Sequence, residues 1–339
     1  MRKLTRKPVS SLKGKPVSSL QNITLSETLE PYQAHKLQAQ ELDLPGHYPD
    51  NPDKAQRCAH CGDDLTFDKY RHLETSDILR VLAWANFCKV RWCPMCAWRK
   101  ASKLILEILS ILSQIERDHK VAYVFLTLTT RNAPLSELRA LSAHMSKSWQ
   151  RLIQTKSFRK SVLGYIRALE FMGDKTPDGQ AHPHFHSVLV VPPSYFSKGY
   201  IPQAQWCEMW QKALRADYKP IVDIRGIRVK STATTLNTIN PALYSALREC
   251  VKYIAKSAKL TKLDQEQFKI LDQQAKGIRQ FNLGGLVKSI KPLELEPLDP
   301  SFWEQLEQEF YKWSGQAYKP YTPSGEPKIF EFTTSPYGD

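Results

Sequence analysis

The sequence predicts an α+β protein in which helices flank a central, mostly antiparallel sheet, with an N-terminal zinc-binding cysteine module ahead of it. Three observations carry this. Between residues 97 and 258 the apolar pattern switches repeatedly between period two and period 3.6, in the order strand, helix, hairpin, helix, strand, helix. Residues 164–191 read as two strands joined by the turn-forming "TPDGQ". Two Cys-x-x-Cys pairs, "CAHC" (58–61) and "CPMC" (93–96), precede all of it. The 339 residues suffice for one large domain or two ordinary ones, and 42% hydrophobic content with 8 Trp, 13 Phe and 14 Tyr is ample for a packed core.

Taken in order, residues 1–20 repeat "KPVSSL" and hold basic residues without an acid, which suggests a flexible basic arm. Residues 21–57 are polar and carry several prolines, and read as a loosely structured lead-in. Residues 58–96 form the cysteine segment, and the apolar spacing of 97–117 predicts a helix. "VAYVFLTLTT" (121–130) is a strand of β-branched and aromatic residues. A helix follows with Pro134 near its start, then the hairpin strands "GYIRALEFM" (164–172) and "AHPHFHSVLVV" (181–191). Beyond them come a helix around "AQWCEMWQKAL", a strand around "PIVDIRGIRVK", and a helix over 240–258 with Asn240 as cap and Pro241 at the first position. The tail, 289–339, predicts one short helix, "PSFWEQLEQEFYKW". The expected division is an arm and lead-in over 1–57, a zinc module and helix over 58–117, a catalytic domain over 118–290 and an extension over 291–339.

The net charge of +14 favours a polyanionic partner, nucleic acid ahead of an anionic membrane. No run of about 18 apolar residues suggests a membrane span. The basic N-terminus lacks the apolar stretch of a secretory signal, so a cytoplasmic location is expected.

The strand 181–191 poses a chemical question. Alternate residues of an extended chain share a face, so His182, His184 and His186 line up. Neighbouring buried imidazoles call for a divalent metal. None of the nine histidines lies after His186, so a site needing a downstream His is poorly supported. The third ligand is expected to be Glu170, across the hairpin. Two His and one Glu suit Mg²⁺ or Mn²⁺ holding a phosphate, with Fe(II) a chemical alternative. His182 is a further ligand, a neighbour of the ligands or a phosphate contact.

On the helix over 240–258, Leu243, Leu247, Cys250, Val251, Ile254 and Ala258 form one apolar stripe, and Tyr244 lies near it. Glu249, Lys252, Tyr253 and Lys256 occupy the opposite side. A phenol among charges, with an acid one turn before and a lysine one turn after, can act as a nucleophile. Lys256 can offset phosphate charge.

Cys58, Cys61, Cys93 and Cys96 are the expected structural zinc ligands, with Cys88 in reserve and a folded insertion between the pairs. Cys207 and Cys250 lie on apolar helix faces and read as core. Arg225, Arg228 and Lys230 on a basic strand, with Lys252, are candidate DNA contacts.

Three of these stretches in this order, "FLTLTT" (125–130), "HPHFH" (182–186) and "ECVKYIAK" (249–256), resemble the motifs of the rolling-circle replication initiators of small plasmids, within the HUH endonuclease superfamily. The resemblance spans roughly residues 58–290. It implies an HUH-endonuclease fold with His184 and His186 holding a divalent metal and Tyr253 attacking the scissile phosphate of single-stranded or hairpin origin DNA. The products would be a 5′-phosphotyrosine and a free 3′-OH. Glu249 would activate water for the closing cleavage, as in the single-tyrosine branch. Host helicase and polymerase are the further partners it implies. Similar initiators carry a comparable cysteine cluster. A transposase or relaxase of the same superfamily, a non-catalytic zinc-containing DNA-binding regulator, and a metallo-hydrolase or oxygenase of small substrates are the alternatives. The Glu249–Tyr253 pair counts against the regulator, and the missing downstream histidines count against the small-substrate enzyme.

Overall fold

Residues 27–173, 175–227, 240–252, 260–293 and 298–323 are described by the structure, a computed structural model. The lead-in is helical rather than loose. Helix α1 (Leu29–Glu41) and helix α2 (Pro52–Ala59) flank a 3₁₀ turn over Leu44–His47. Polar composition concealed a few anchors: Tyr32, Lys36, Leu42 and Leu44 are buried. Tyr32 meets Phe67 and Trp98 edge-on, at centroid distances of 5.5 and 4.9 Å. Tertiary burial here outweighs weak local propensity.

The insertion between the cysteine pairs is a hairpin, β1 (Asp64–His72) and β2 (Ile78–Ala85). Within "CPMC" the chain already enters the long helix α3 (Pro94–Asp118), capped by Cys93 and starting three residues before the expected 97. Strand β3 (Ala122–Thr129) leads to a two-residue strand β4 (Ala133–Pro134), then helices α4 (Leu138–Ile153) and α5 (Lys156–Ser161). Strand β5 (Gly164–Glu170) forms the first arm of the hairpin.

The second arm is interrupted. Strand β6 (Gln180–Ala181) pairs with β4, and β7 (His184–Val191) begins only after Pro183, which has no N–H for a ladder. His182 therefore leaves the strand, and its N–H donates to Phe171 O at 2.9 Å. Helix α6 (Gln203–Leu214) and strand β8 (Val222–Ile227) follow.

Helix α7 (Pro241–Lys252) starts as the sequence predicts. Asn240 Oδ1 accepts from the N–H groups of Ala242 and Leu243 at 2.9 and 3.2 Å. Leu243, Leu247, Cys250 and Val251 are buried as one stripe. Tyr244, expected near that stripe, is exposed, with the Arg248 guanidinium 6.0 Å from its ring centroid. Ile254 and Ala258 lie outside the described residues.

Helix α8 (Gln265–Ala275) carries a complete capping box between Asp264 and Gln267. Strand β9 (Phe281–Gly285) runs into a single turn, α9 (Leu286–Ser289).

The expected tail helix is instead strand β10 (Trp303–Trp313), followed by β11 (Tyr318–Pro320). Glutamate-rich "EQLEQEF" has high helix propensity, but cross-strand partners win. Lys69 pairs with Glu307 and Glu309, Arg71 with Glu304, and Arg80 with Glu309. The four-stranded order is β11-β10-β1-β2, so the C-terminal segment completes the sheet of the cysteine-bearing module.

The larger sheet has the order β8-β3-β7-β5-β9 with every neighbouring pair antiparallel. The histidine strand β7 is central, and all its residues are buried. One face, with Phe125, Ile166, Ala168, Val188 and Val190, packs against Ile108 and Leu112 of α3 and Leu247 and Val251 of α7. The other, with Leu126, Leu169, Phe185 and Leu189, packs against α4 and α6 through Trp149, Trp206 and Trp210. Coverage on both faces explains why β3 and β7 read as near-continuous apolar runs. No helix among the described residues is long and apolar enough to cross a membrane.

Candidate functional site

Register assembles the first site. Glu170 at the end of β5 pairs directly with His184 on β7, and His186 lies between Ala168 and Thr127. All three side chains fall on the face covered by α3 and α7, at the end of the sheet, and all are buried. Glu170 Oε2 lies 2.7 Å from His184 Nε2 and 3.1 Å from His186 Nε2. Together they form one of two clusters among the described residues whose ligand atoms lie within 4.8 Å of one another.

The hydrogen bonds show what this cluster fits. His184 Nδ1 is 2.7 Å from His182 O, so it must donate its proton there. Its Nε2 faces the Glu170 carboxylate oxygen, and either a shared proton or a cation held by both groups satisfies that contact. Ligands at adjacent corners of an octahedron, about 2.1 Å from a small divalent ion, stand about 3.0 Å apart. The observed 2.7 and 3.1 Å bracket that spacing. Thr127 Oγ1, a partner the sequence did not suggest, sits 3.3 Å from His186 Nδ1 and orients the second ring. Burial holds the His186 imidazole below its ordinary pKa; the Glu170 hydrogen bond and the Glu170 and Glu249 carboxylates pull it back, while His184 pushes it further down. A neutral imidazole is the ligating form. Burial, with the neighbouring His184, also lowers His182, whose ring centroid is 5.4 Å from that of His184. His182 stands outside the 4.8 Å group.

Helix α7 docks directly behind this cluster. The Cys250 thiol donates to His186 O at 3.2 Å, and Leu247 and Val251 seal the contact. Glu249 is half-buried, and its charge reaches His186. Tyr253 and Lys256 lie outside the described residues, as do Arg228 and Lys230, and Lys252 is described in its backbone only. Arg225 is exposed on edge strand β8 and shares the face of His186: Phe125 stands between them, 5.2 Å from the Arg225 guanidinium and 5.8 Å from the His186 ring. Asp223 holds the Arg225 guanidinium at 2.9 Å.

The second cluster is Cys61, Cys88, Cys93 and Cys96. The structure thus brings Cys88, expected in reserve, into the compact quartet, with Cys58 beside it. The reason is the path of the chain: Cys58 lies in α2, whereas Cys88 follows β2, which the β1–β2 hairpin returns to Cys61. The Cys88 thiol lies 3.6 Å from Cys96 Sγ, and the surrounding thiols hold it below its ordinary range, while Cys88 and burial push Cys58 up. Sulfur–sulfur distances of 3.5 Å (Cys61–Cys93) and 3.6 Å (Cys61–Cys96 and Cys88–Cys96) approach the roughly 3.8 Å edge of a tetrahedral Zn–S₄ centre. The Cys88 N–H donates to Cys61 Sγ at 3.3 Å. Gly62, at φ +71°, makes the knuckle turn that a side chain there would strain.

Three outside groups lock that turn. Buried Lys36 of α1 donates to Ala59 O (3.2 Å) and Cys61 O (2.9 Å) and pairs with Asp63 at 2.5 Å. Tyr318 of β11 donates to Gly62 O at 2.6 Å, and Asn86 Nδ2 to His60 O at 2.7 Å. Lys36 had no signal in the sequence beyond being a lysine in a polar stretch. Cys207 and Cys250 are core, as expected.

An antiparallel α+β fold with a buried Glu–His–His cluster and a four-cysteine cluster defines a protein with two candidate metal centres. Comparison with known sequences makes the assignment particular. The Rep_1 family, described as replication protein, matches residues 79–321. A "Protein rep" of Bacillus amyloliquefaciens is 35% identical over 268 residues, covering 76% of this chain and 78% of the relative. Proteins of the same description from Lentilactobacillus hilgardii and Streptococcus pneumoniae are 35% and 33% identical, covering 73% and 70% of this chain and 77% and 70% of the relatives. No solved structure matches. The chain belongs to the Rep_1 family of replication proteins, the plasmid rolling-circle initiators that its three motifs resemble.

Proposed function

We propose that this initiator is a metal-dependent nickase and strand transferase with an HUH-endonuclease fold, acting on single-stranded or hairpin origin DNA through Tyr253. The observation that carries the reading is the Glu170–His184–His186 cluster with α7 docked on it through Cys250 and His186 O. That docking brings Glu249 close enough for its charge to act on His186, and Tyr253 follows one turn after Glu249 in the sequence.

Glu170, His184 and His186 would hold a divalent cation, Mg²⁺ or Mn²⁺, which when bound supplies Lewis-acid polarisation and orientation of the scissile phosphate. The Tyr253 oxygen attacks phosphorus, the bond to the 3′ oxygen breaks, and the phenolic proton passes to that departing oxygen. A 5′-phosphotyrosine and a free 3′-OH result, the latter able to prime synthesis by a host polymerase, with a host helicase opening the duplex. Lys256 offsets charge on the phosphate. Glu249 takes a proton from water in the closing cleavage. Arg225, Arg228, Lys230 and Lys252 contact the DNA backbone, and His182 completes the ligand set or contacts the phosphate. Cys61, Cys88, Cys93 and Cys96 hold a structural Zn²⁺, with Cys58 as neighbour.

Labelled single-stranded origin DNA incubated with the protein and Mn²⁺ tests this. A covalent protein–DNA adduct that vanishes in Tyr253→Phe supports it. Stable binding with no adduct would favour a non-catalytic regulator. His184→Ala is expected to lose cleavage while retaining DNA binding; equal loss of both would make the histidine strand structural.

A further inference from the structure

Just past the end of β3 the surface opens into a cavity of about 330 Å³. One wall is Thr130, Arg131 and Asn132; the other is the end of α6 and the turn over Leu214–Tyr218. The cavity lies at the same end of the sheet as the Glu170–His184–His186 cluster, since Thr129, the last residue of β3, pairs with His184, but on the opposite face, where Leu141 and His144 of α4 also line it. It is held in shape by hydrogen bonds. Trp210 Nε1 donates to Thr129 O at 2.8 Å, the Arg131 N–H donates to Tyr218 Oη at 3.0 Å, and Thr130 Oγ1 bonds the same oxygen at 2.9 Å. His144 Nε2 donates to Leu214 O at 2.9 Å.

Two features point to a ligand. The Arg131 guanidinium lies 3.8 Å from the Tyr218 ring centroid, so a planar cation and an aromatic ring line the cavity together. Such a pair is a platform for a nucleobase. Arg131 is also 3.3 Å from Asp217, a solvent-exposed pair that holds it only weakly. The second feature is Arg215, which caps α6 with φ +56° and ψ +40°. Glycine is the usual residue there, because an L side chain in the left-handed region is strained. Arg215 is exposed, lines the cavity, and makes no ion pair with any described residue. Strain kept for an unpaired cation at a pocket mouth is a mark of binding.

We propose that this cavity takes an unstacked base of the single-stranded DNA where the strand passes over the end of the sheet, with Tyr218 and Arg131 as the stacking platform and Arg215 on the adjoining backbone phosphate. The proposal rests on the nickase reading and adds where the substrate strand is gripped. A base inside duplex DNA is stacked and cannot enter, so the site selects single strands.

The test reads binding in EDTA, where no cleavage is needed, by fluorescence anisotropy with a fluorescein-labelled 25-nucleotide mixed-sequence single strand and the matching duplex. Tyr218→Ala is expected to weaken single-strand binding roughly 5- to 150-fold, the range that loss of a base stack spans. Tyr218→Phe, which keeps the ring but not its hydrogen bonds, retains most of that affinity. Arg215→Gly weakens binding and flattens its salt dependence, with a melting temperature equal to or above wild type. A strand carrying 5-iodouracil crosslinks to a peptide from 130–132 or 214–218. Folded Arg215→Gly and Tyr218→Ala proteins that bind as wild type does would overturn the proposal, as would equal weakening for the duplex. If Tyr218→Ala fails to fold, Arg215→Gly and the crosslink decide. Failure here leaves the nickase reading standing, and a Tyr253→Phe protein that still binds leaves this test valid.

Discussion

Lys36→Met removes the buried ammonium that ties α1 to the cysteine knuckle. Methionine has nearly the same length and fills the same space, so the change is electrostatic rather than a cavity. The ammonium is 3% exposed and serves three acceptors: the carbonyls of Ala59 and Cys61 and the carboxylate of Asp63. Breaking a buried ion pair from one side costs about 3–5 kcal/mol, because the remaining charge stays desolvated. Asp63 is 23% exposed and also bonds His60 at 2.8 Å, so water and His60 recover part of the loss. The lower end, about 3 kcal/mol, is therefore expected. At about 2.1 cal/mol/K per residue, 339 residues unfold with an entropy of about 0.7 kcal/mol/K, so the melting temperature should fall by about 4 °C. Thermal unfolding followed by circular dichroism reads the shift, and a colorimetric chelator reads zinc release, which should quicken. A melting temperature within about 2 °C of wild type, with zinc retained as long, would refute the idea that the lead-in helix braces the cysteine centre.

Other outcomes follow from the same geometry. Mn²⁺ at about 100 times its dissociation constant should stabilise the wild type by about 2.7 kcal/mol; in Glu170→Gln the gain should shrink, and an unchanged gain would remove Glu170 from the ligand set. Cys88→Ser should lose zinc measured by plasma emission, whereas Cys58→Ser should keep it; the reverse would restore the pairing of the two Cys-x-x-Cys motifs. For pH, His186 and His182 are held below their ordinary values chiefly by burial, so the unfolded chain binds their protons first. Metal-free stability from urea unfolding should therefore be fully present above about pH 6.5 and fall as the pH drops below it, more steeply in wild type than in His186→Gln. A variant with the same slope would show that His186 titrates alike in both states.

Much of the central sheet was legible because local and tertiary demands agree there. β3 and β7 are apolar on both sides because helices cover both sides, and Asn240–Pro241 announces α7 by side-chain chemistry alone. The Glu170–His184 pairing was legible because both strands are buried and a one-residue slip would turn their apolar residues out of the core. Elsewhere the deciding partner is distant in sequence. Glu304, Glu307 and Glu309 become strand residues only through Lys69, Arg71 and Arg80, more than 200 positions away. Cys88 displaced Cys58 because the hairpin β1–β2 returns it to Cys61, a matter of tertiary path rather than spacing. The Arg131–Tyr218 cavity joins two turns that share no motif.

Peptide mapping of the protein–DNA adduct is the most direct check. After reaction with origin single strand and Mn²⁺, protease and nuclease digestion, mass spectrometry should find a nucleotide joined through its 5′ phosphate to Tyr253, and none when EDTA replaces the cation. A nucleotide on Tyr244 or any other residue, or cut strands bearing free 5′ phosphates with no adduct at all, would contradict the account.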